Sequence, residues 1–434
     1  MSIGFLRTVR GMRDFLPDEA EALRSIEDVA RKVARLFGYR EVITPVVENY
    51  ELLAAKIGEE NRRRMYVFED LGGRKVALRP EFTSSVARVV ATKMQSLPKP
   101  LRLFSVGSLY RYDEPQFGRY REFWQANYEL FGSNRPEADV EILCLANSFL
   151  KKVGLKNYQF KVGHVGILRG ILKHEKVTEE RQDTIMQLLD KKCWEEALNL
   201  AKGVGASKQA LDDMKTLFTL GGRDADRLLL EMEEVVRNYP EALAAIENLK
   251  AIVNLIRDTE SNLTLLLEAG FARGLEYYTG VIFEIFVPEM THALGGGGRY
   301  DRLIELFGGG KTPAIGVAPG LDRILLALKK QGAPIKTMSH LERVLIIPVG
   351  DDMVREAFNI ASILRECGIC TEIEITGRSL SQALSNAPKK GIKYAVIVGS
   401  REAKEGKVVL RDLVKEEQNV VNINDLLGVL PVYE

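Results

Sequence analysis

Apolar positions recur at helical spacing over residues 18–37 (DEAEALRSIEDVARKVARLF) and stop at Gly38, which predicts an amphipathic helix ended by a glycine. YREVITPVVENYELL follows as a short β-branched run, broken at Pro45, with a second helical start behind it. KVALRPEFTSSVARVVATKM reads as a strand, a turn at Pro80 and a helix capped by Thr83 or Ser84. A hairpin comes next, with 122–131 as its second strand, and 137–153 form another helix. YQFKVGHVGILRGIL starts as a strand. From 175 to 258 the strand signal nearly vanishes and amphipathic helical stretches replace it (IMQLLDKKCWEEALNLAK, ADRLLLEMEEVVRNY, EALAAIENLKAIVNLI), which reads as a helical insertion. Strands return at 263–267 and 281–287 (VIFEIFV), then a glycine-rich turn, then AIGVAPGLDRILLALKK. Beyond KQGAPIKTMSH, residues 330–340, short strands alternate with helices (RVLIIPV, TEIEI, YAVIVG, KVVLRDL, QNVVNI), the rhythm of a small α/β domain with its own core.

The hairpin is the most chemically loaded stretch. Side chains alternate along a strand, so Phe123, Gln125, Asn127 and Glu129 share one face while Trp124, Ala126, Tyr128 and Leu130 share the other. The second face is an apolar floor; the first is a row of hydrogen-bonding groups ending in a carboxylate. The loop between the strands, about residues 112–121, is long for a hairpin, and long loops in compact domains often bind ligands. Arg111, Arg119 and Arg121 near the loop, with Arg102 before the first strand, could meet phosphate bidentately. A solvated hairpin with scattered ion pairs is the competing reading.

Composition narrows the classes. Among 434 residues, Lys and Arg number 61 and Asp and Glu 60, so any nucleic-acid site must be a local patch rather than a global field. Hydrophobic residues at 46% and charged ones at 28% describe an ordinary globular chain. The start carries no sustained apolar run and no window approaches a membrane span, so a cytoplasmic protein is expected.

Four further stretches change the balance. LRPEFT places Glu81 and Thr83 two apart at a strand-to-helix turn, and FARGLEYYTG places Arg273 and the pair Tyr277–Tyr278 before a strong strand. HALGGGGRYDRL has a four-glycine run that lets backbone approach a ligand. AIGVAPGLDRIL breaks into a helix with Arg323 in its first turn, beside a dipole that favours phosphate. Taken together the chain resembles, essentially end to end, the histidyl-tRNA synthetases of class II, subclass IIa. YREVITPVVENYELL looks like the first class motif, at a dimer interface; FSVGSLYRYDEPQFGRYREFWQ resembles the second; PAIGVAPGLDRILLAL resembles the third. RGLEYYTG and GGGGRYDRL look like the two histidine-family signatures.

The resemblance implies an α+β fold: a mainly antiparallel catalytic sheet flanked by helices (1–170 and 260–330), a helical insertion (171–259) reaching the tRNA acceptor arm, and a small α/β anticodon-binding domain (340–434). It implies ATP, carried with Mg²⁺, as co-substrate, with no tightly bound cofactor and no protein cage for a metal. L-histidine and histidine tRNA, met at its acceptor end and anticodon, are the implied partners, with a homodimer and no membrane. Arg111 and Arg273 match the two catalytic arginines on the α-phosphate, with Arg111 also on the substrate carboxylate. Phe123 and Arg323 match the pair that sandwiches adenine, a cation–π arrangement. Asp113 and Arg119 match positions near the outer phosphates and the ATP amine or metal. Glu81 and Thr83 match holders of the α-amino group, with Gln125 facing the polar end. Glu129 and Tyr278 match the groups that bond the imidazole nitrogens, and Tyr277 and Tyr300 line that pocket. Such buried polar recognition rejects analogues without the imidazole by roughly 10⁴–10⁵-fold, so no editing domain is expected.

Two positions depart from the usual pattern: Glu276 stands where Asp is usual, and Asp113 where Glu is common. FGGGKT (307–312) lacks the glycine five positions before Gly310 that a phosphate loop needs. Cys367 and Cys370 have redox spacing without its context, and four scattered histidines suggest no zinc site. The rival readings are a non-catalytic regulatory subunit that binds histidine and an RNA-sensing module. The first typically loses the tail domain and the ATP-site arginines, the second the imidazole-reading pair; all of these are present here.

Overall fold

The computed structural model describes residues 6–432 apart from 56, 117, 260–262, 274–276 and 336–342, so Glu276 lies outside the described residues. The chain divides into two compact units, Ala22–Ile335 with the segment before Pro17, and Lys336–Glu434 with Pro17–Glu21.

The strands of the first unit are β1 (Arg40–Glu41), β2 (Val47–Asn49), β3 (Val67–Glu69), β4 (Lys75–Leu78), β5 (Leu101–Tyr110), β6 (Glu122–Phe131), β7 (Gln159–His164), β8 (Gly221–Gly222), β9 (Leu265–Glu268), β10 (Val281–Phe286), β11 (Gly295–Arg299) and β12 (Ala314–Pro319). Nine of them form one sheet in the order β1-β5-β6-β12-β11-β10-β7-β9-β8. Every pairing from β5 to β7 is antiparallel; β1/β5 and β7/β9 are parallel. The remaining three pair as β2-β4-β3 in a small separate sheet.

The apolar face of β6 is buried as its alternation requires. Tyr128 is enclosed by Phe104, Phe149 and Tyr39, and its hydroxyl donates to Ala30 O at 3.2 Å on the helix Pro17–Leu36. Helices Thr83–Lys93, Pro136–Lys152 and Leu321–Lys330 bury their apolar stripes in the same core. Between β7 and β9 run six helices from Val165 to Thr259, interrupted by the two-residue β8, and their apolar faces join that core too.

Three local expectations give way. The helix from Thr83 has Phe82 at its N-cap position and no capping hydroxyl; Glu81 Oε1 accepts Ser84 N–H at 2.8 Å, and the Thr83 hydroxyl donates to Glu129 instead. The glycine-rich turn is a strand, β11, because its backbone groups pair on both sides with β10 and β12. Arg102 and Arg121 do not face a ligand. Arg102 grips Glu141 with two bonds of 2.8 and 2.7 Å, and Arg121 lies over the Tyr112 ring and donates to Asp113 O at 3.0 Å.

The second unit contains β13 (Val344–Pro348), β14 (Thr371–Ile373), β15 (Tyr394–Val398), β16 (Lys407–Asp412) and β17 (Glu417–Asn422), in the order β14-β13-β15-β16-β17. Alternation sends Val344 and Ile346 to one face, against Ala357, Ile360 and Leu364 of the helix Val354–Glu366. It sends Leu345 and Ile347 to the other, against Ala383 of the helix Leu380–Asn386. That second helix opens with a capping box between Ser379 and Gln382. Among the described residues no helix is long and apolar enough to cross a membrane.

Candidate active site

A cleft lies over the middle of the nine-stranded sheet, where β11 and β12 supply a glycine-rich floor, residues 295–298 and Gly316 beside Val317 and Ala318. A Cβ on Gly296 would collide with the Arg273 guanidinium, and one on Gly316 with Glu129 Oε2. On Gly298 it would come 2.8 Å from Tyr278 Cε1, and on Gly295 2.6 Å from Pro319 Cα. These glycines are needed for space, since none of them has a positive φ. The volume they leave is taken by polar side chains arriving from other segments.

Twelve of the residues singled out in the sequence line this cleft: Glu81, Thr83, Arg111, Asp113, Arg119, Phe123, Gln125, Arg273, Tyr277, Tyr278, Tyr300 and Arg323. Glu129 does not. It sits one layer behind, 1% exposed, with Oε1 accepting from Thr83 Oγ1 at 2.6 Å and Asn127 Nδ2 at 2.9 Å, and Oε2 accepting from the Tyr300 hydroxyl. Oε2 rests over Gly316, which itself lines the cleft. Burial pushes the Glu129 carboxyl up to about 7, against the pull of its three donors. Tyr277 packs edge-on against both Tyr278 and Tyr300, with ring centroids at 5.0 and 5.7 Å. Burial raises all three phenols above their ordinary value, so they are neutral donors at physiological pH.

Two acceptors at this end are left open. Glu81 uses Oε1 for Ser84, while Oε2 is buried without a hydrogen-bond partner. Gln125 donates Nε2 to Ala318 O at 3.2 Å, and its Oε1 is buried and unpaired. A buried unpaired acceptor is costly, and two in one cleft suit a ligand that brings N–H donors.

The cleft is also lined by cations. Arg111 is held by Nε to Pro80 O at 2.8 Å and lies 5.2 Å from the Phe123 ring centroid; burial holds its pKa below the ordinary arginine value. Arg273 donates Nη1 to Phe283 O at 2.9 Å, with Glu284 at 3.7 Å. Arg323 donates Nε to Gly118 O at 3.0 Å and Nη1 to Ala293 O at 2.6 Å. Burial, and then the neighbouring Arg111 and Arg119, bring Arg323 down to about 10. Arginines pressed together in a cleft favour an anion between them. Asp113 Oδ2 accepts Arg119 Nε at 2.8 Å, while its Oδ1 is buried without a hydrogen bond and has Arg64 Nε in ion-pair range at 3.3 Å. Arg64 in turn pairs with Glu60, and Glu60 with Lys191 at 2.9 Å, so one chain of alternating charge runs from the helical segment to the cleft.

Sequence reasoning passed over Glu284, Asp322, Tyr120 and Arg13. Glu284 carried a signal, a lone acid inside the apolar run VIFEIFV. Arg299, which follows the glycines, is absent from the cleft: it is buried and bonded to Asp139 Oδ1 at 2.9 and 2.6 Å. Its side chain falls on the opposite face of β11 from the ligand space.

Comparison with known proteins places this geometry. The model of the histidyl-tRNA synthetase family matches residues 11–324, and that of the anticodon binding domain matches 343–432. A histidine–tRNA ligase of Methanocaldococcus jannaschii is 41% identical over 420 residues, 96% of this chain and 97% of its own. A histidyl-tRNA synthetase from Nostoc sp. PCC 7120 has the same fold, with a TM-score of 0.79 at 22% identity over 98% of each chain. A chain from Bacillus halodurans C, described as an ATP phosphoribosyltransferase regulatory subunit/histidyl-tRNA synthetase, gives a TM-score of 0.75 at 25% identity, covering 88% of this chain and 96% of its own.

Proposed function

Since the chain belongs to the histidyl-tRNA synthetase family, a family of ATP-dependent ligases, we propose that it activates L-histidine with ATP and then charges histidine tRNA. In the first step a carboxylate oxygen of histidine attacks the α-phosphorus, the bond to pyrophosphate breaks, and histidyl-adenylate forms. In the second a hydroxyl of the 3′-terminal ribose attacks the adenylate carbonyl, with release of AMP and a proton. Neither step uses an enzyme nucleophile, so rate comes from positioning and from cations aimed at developing charge.

One observation carries the reading: the same cleft holds the unpaired buried acceptors of Glu81 and Gln125, a pair of arginines and a floor of glycine. Glu81 Oε2 and Gln125 Oε1 take the α-ammonium, with Thr83 alongside. Arg111 and Arg273 flank the α-phosphate, Arg111 also meeting the carboxylate. Phe123 and Arg323 stack the adenine between them. Arg119, oriented by Asp113, faces the outer phosphates, on which Mg²⁺ travels with ATP. The imidazole lies among Tyr277, Tyr278 and Tyr300, one nitrogen bonded to Tyr278 and the other to Glu129 Oε2, which has a lone pair beyond the one Tyr300 uses.

The proposal extends to the whole chain. Residues 1–170 and 260–330 catalyse, 171–259 meet the acceptor arm, and 340–434 read the anticodon; the protein works in the cytoplasm. A homodimer is supported by the small β2-β4-β3 sheet, where Val47, Val67 and Phe68 are exposed near an exposed Ile43. The regulatory-subunit reading is not favoured, because Arg111, Arg273 and Arg323 all line the cleft and the tail matches an anticodon binding domain.

Pyrophosphate exchange into ATP, measured with each amino acid in turn, tests the proposal. Exchange with histidine alone supports it, and histidylation of tRNA by the same sample supports the second step. Histidine binding without exchange would make the chain a regulatory subunit.

A further inference from the structure

One buried carboxylate touches both walls of the nucleotide slot. Asp322 precedes Arg323 at the start of the helix Leu321–Lys330, and its side chain is 3% exposed. Its Oδ2 accepts the backbone N–H of Trp124, the residue after Phe123, and its Oδ1 accepts Arg13 Nη2. The backbone of the Phe123 wall is thus tied to the backbone of the Arg323 wall through a single side chain.

Arg13 belongs to a segment that wraps the hairpin loop. Its guanidinium lies over the Phe15 ring at 4.3 Å and over the Tyr120 ring at 3.8 Å, and Tyr120 lines the cleft. Two residues earlier, Gly11 O accepts Arg121 N–H at 2.8 Å. Gly11 has a φ of +86°, and a Cβ there would lie 2.7 Å from Arg121 Cγ, so the segment is fitted closely to the loop.

We propose that Arg13 and Asp322 are positioning residues that set the width of the slot between Phe123 and Arg323, and so govern ATP affinity from outside the reacting groups. Arg13 neutralises a carboxylate whose other donors are backbone N–H groups, that of Trp124 and its own. Without it the buried charge is uncompensated and the carboxyl takes up a proton or swings towards water, releasing Trp124 N–H. Phe123 and Arg323 then lose their common tether while keeping their own side chains. The proposal rests on the assignment of those two residues to adenine.

The test is steady-state pyrophosphate exchange by the full-length chain, with ATP and histidine varied separately, for Arg13→Ala, Arg13→Lys, Asp322→Asn and, as a benchmark, Phe123→Ala. Loss of a charge-assisted bond is expected to raise the KM for ATP about 10-fold or more in Arg13→Ala and Asp322→Asn, with the KM for histidine within about two-fold. Arg13→Lys, which keeps the charge, is expected to recover part of the ATP affinity. A raised ATP KM in Phe123→Ala with none in Arg13→Ala or Asp322→Asn overturns the inference alone. An unchanged ATP KM in Phe123→Ala overturns the adenine assignment and the inference with it. Equal increases in both KMs, or a lowered melting temperature with unchanged ATP KM, reduce Arg13 to a structural residue. If Arg13→Ala does not fold, Arg13→Lys and Asp322→Asn decide the matter by the same two constants.

Discussion

A side chain at position 316 and the carboxylate of Glu129 occupy the same space: a Cβ built on Gly316 falls on Glu129 Oε2. β12 and β6 are neighbours in the sheet, with Gly316 paired opposite Glu129, so neither can retreat without breaking the ladder.

Gly316→Ala is therefore expected to displace the Glu129 carboxylate from Tyr300. Overpacking of this kind costs about 1–3 kcal/mol, and the histidine-dependent kcat/KM is expected to fall about 10-fold or more. Gly203→Ala, where nothing lies within 4 Å, serves as the control and should change stability by less than about 1 kcal/mol. Thermal melts and exchange kinetics on both variants decide this; an active Gly316→Ala would show that the floor does not need its gap.

Arg273→His shortens a guanidinium that, among the described residues, is anchored on the backbone by Phe283 O, and leaves the sheet beneath it in place. Adenylate formation is expected to drop by about 10²–10³-fold at near-constant melting temperature. A rate within a few-fold of the parent would remove Arg273 from the reaction.

Glu129 gives the cleft a pH dependence of definite sign. Its carboxyl rises from the ordinary 4.5 to about 7 because burial disfavours the charge. Between those values the folded chain holds a proton that the unfolded chain has lost. Stability therefore falls as pH rises through that window and levels off above about 7. Histidine binding runs the other way, because an imidazole N–H needs the ionised acceptor. Glu129→Gln should flatten the binding profile, reduce the stability slope to the part that Asp139, also raised to about 7 by burial, supplies, and weaken histidine more than ATP. Titration of the substrate imidazole is common to both proteins and cancels in the comparison. Equal losses for the two substrates would end the imidazole assignment.

Phe68→Asp places a charge on the exposed small sheet. If the proposed homodimer forms through this sheet, sedimentation is expected to find a dimer for the parent and a monomer for the variant, with exchange activity reduced in parallel. A dimer that persists would put the interface elsewhere.

The two ends of the hairpin were readable because period-two alternation holds along all of β6, and the register with β5 runs without a bulge from Leu101↔Phe131 to Tyr110↔Glu122. What local pattern could not give was the partner of each charge. Arg102 and Arg299 look as available as Arg111 in the chain, yet their acids, Glu141 and Asp139, are 39 and 160 positions away. The glycine run misled for a related reason. Glycine in sequence signals a turn, whereas here it marks a central strand whose missing side chains make room for those of its neighbours. The cap at Thr83 failed because the helix starts one residue earlier, with Phe82 at its N-cap position and the Thr83 hydroxyl turned to donate to Glu129.

Arg13 and Asp322 stand 309 positions apart. At a translation rate of about 5–20 residues per second, the second residue leaves the ribosome roughly 15–60 s after the first. Until then the emerging polypeptide has the arginine that closes the slot but not the helix it closes against. A chain that terminates before Leu321 therefore lacks Asp322 and Arg323, and with them one wall of the proposed slot.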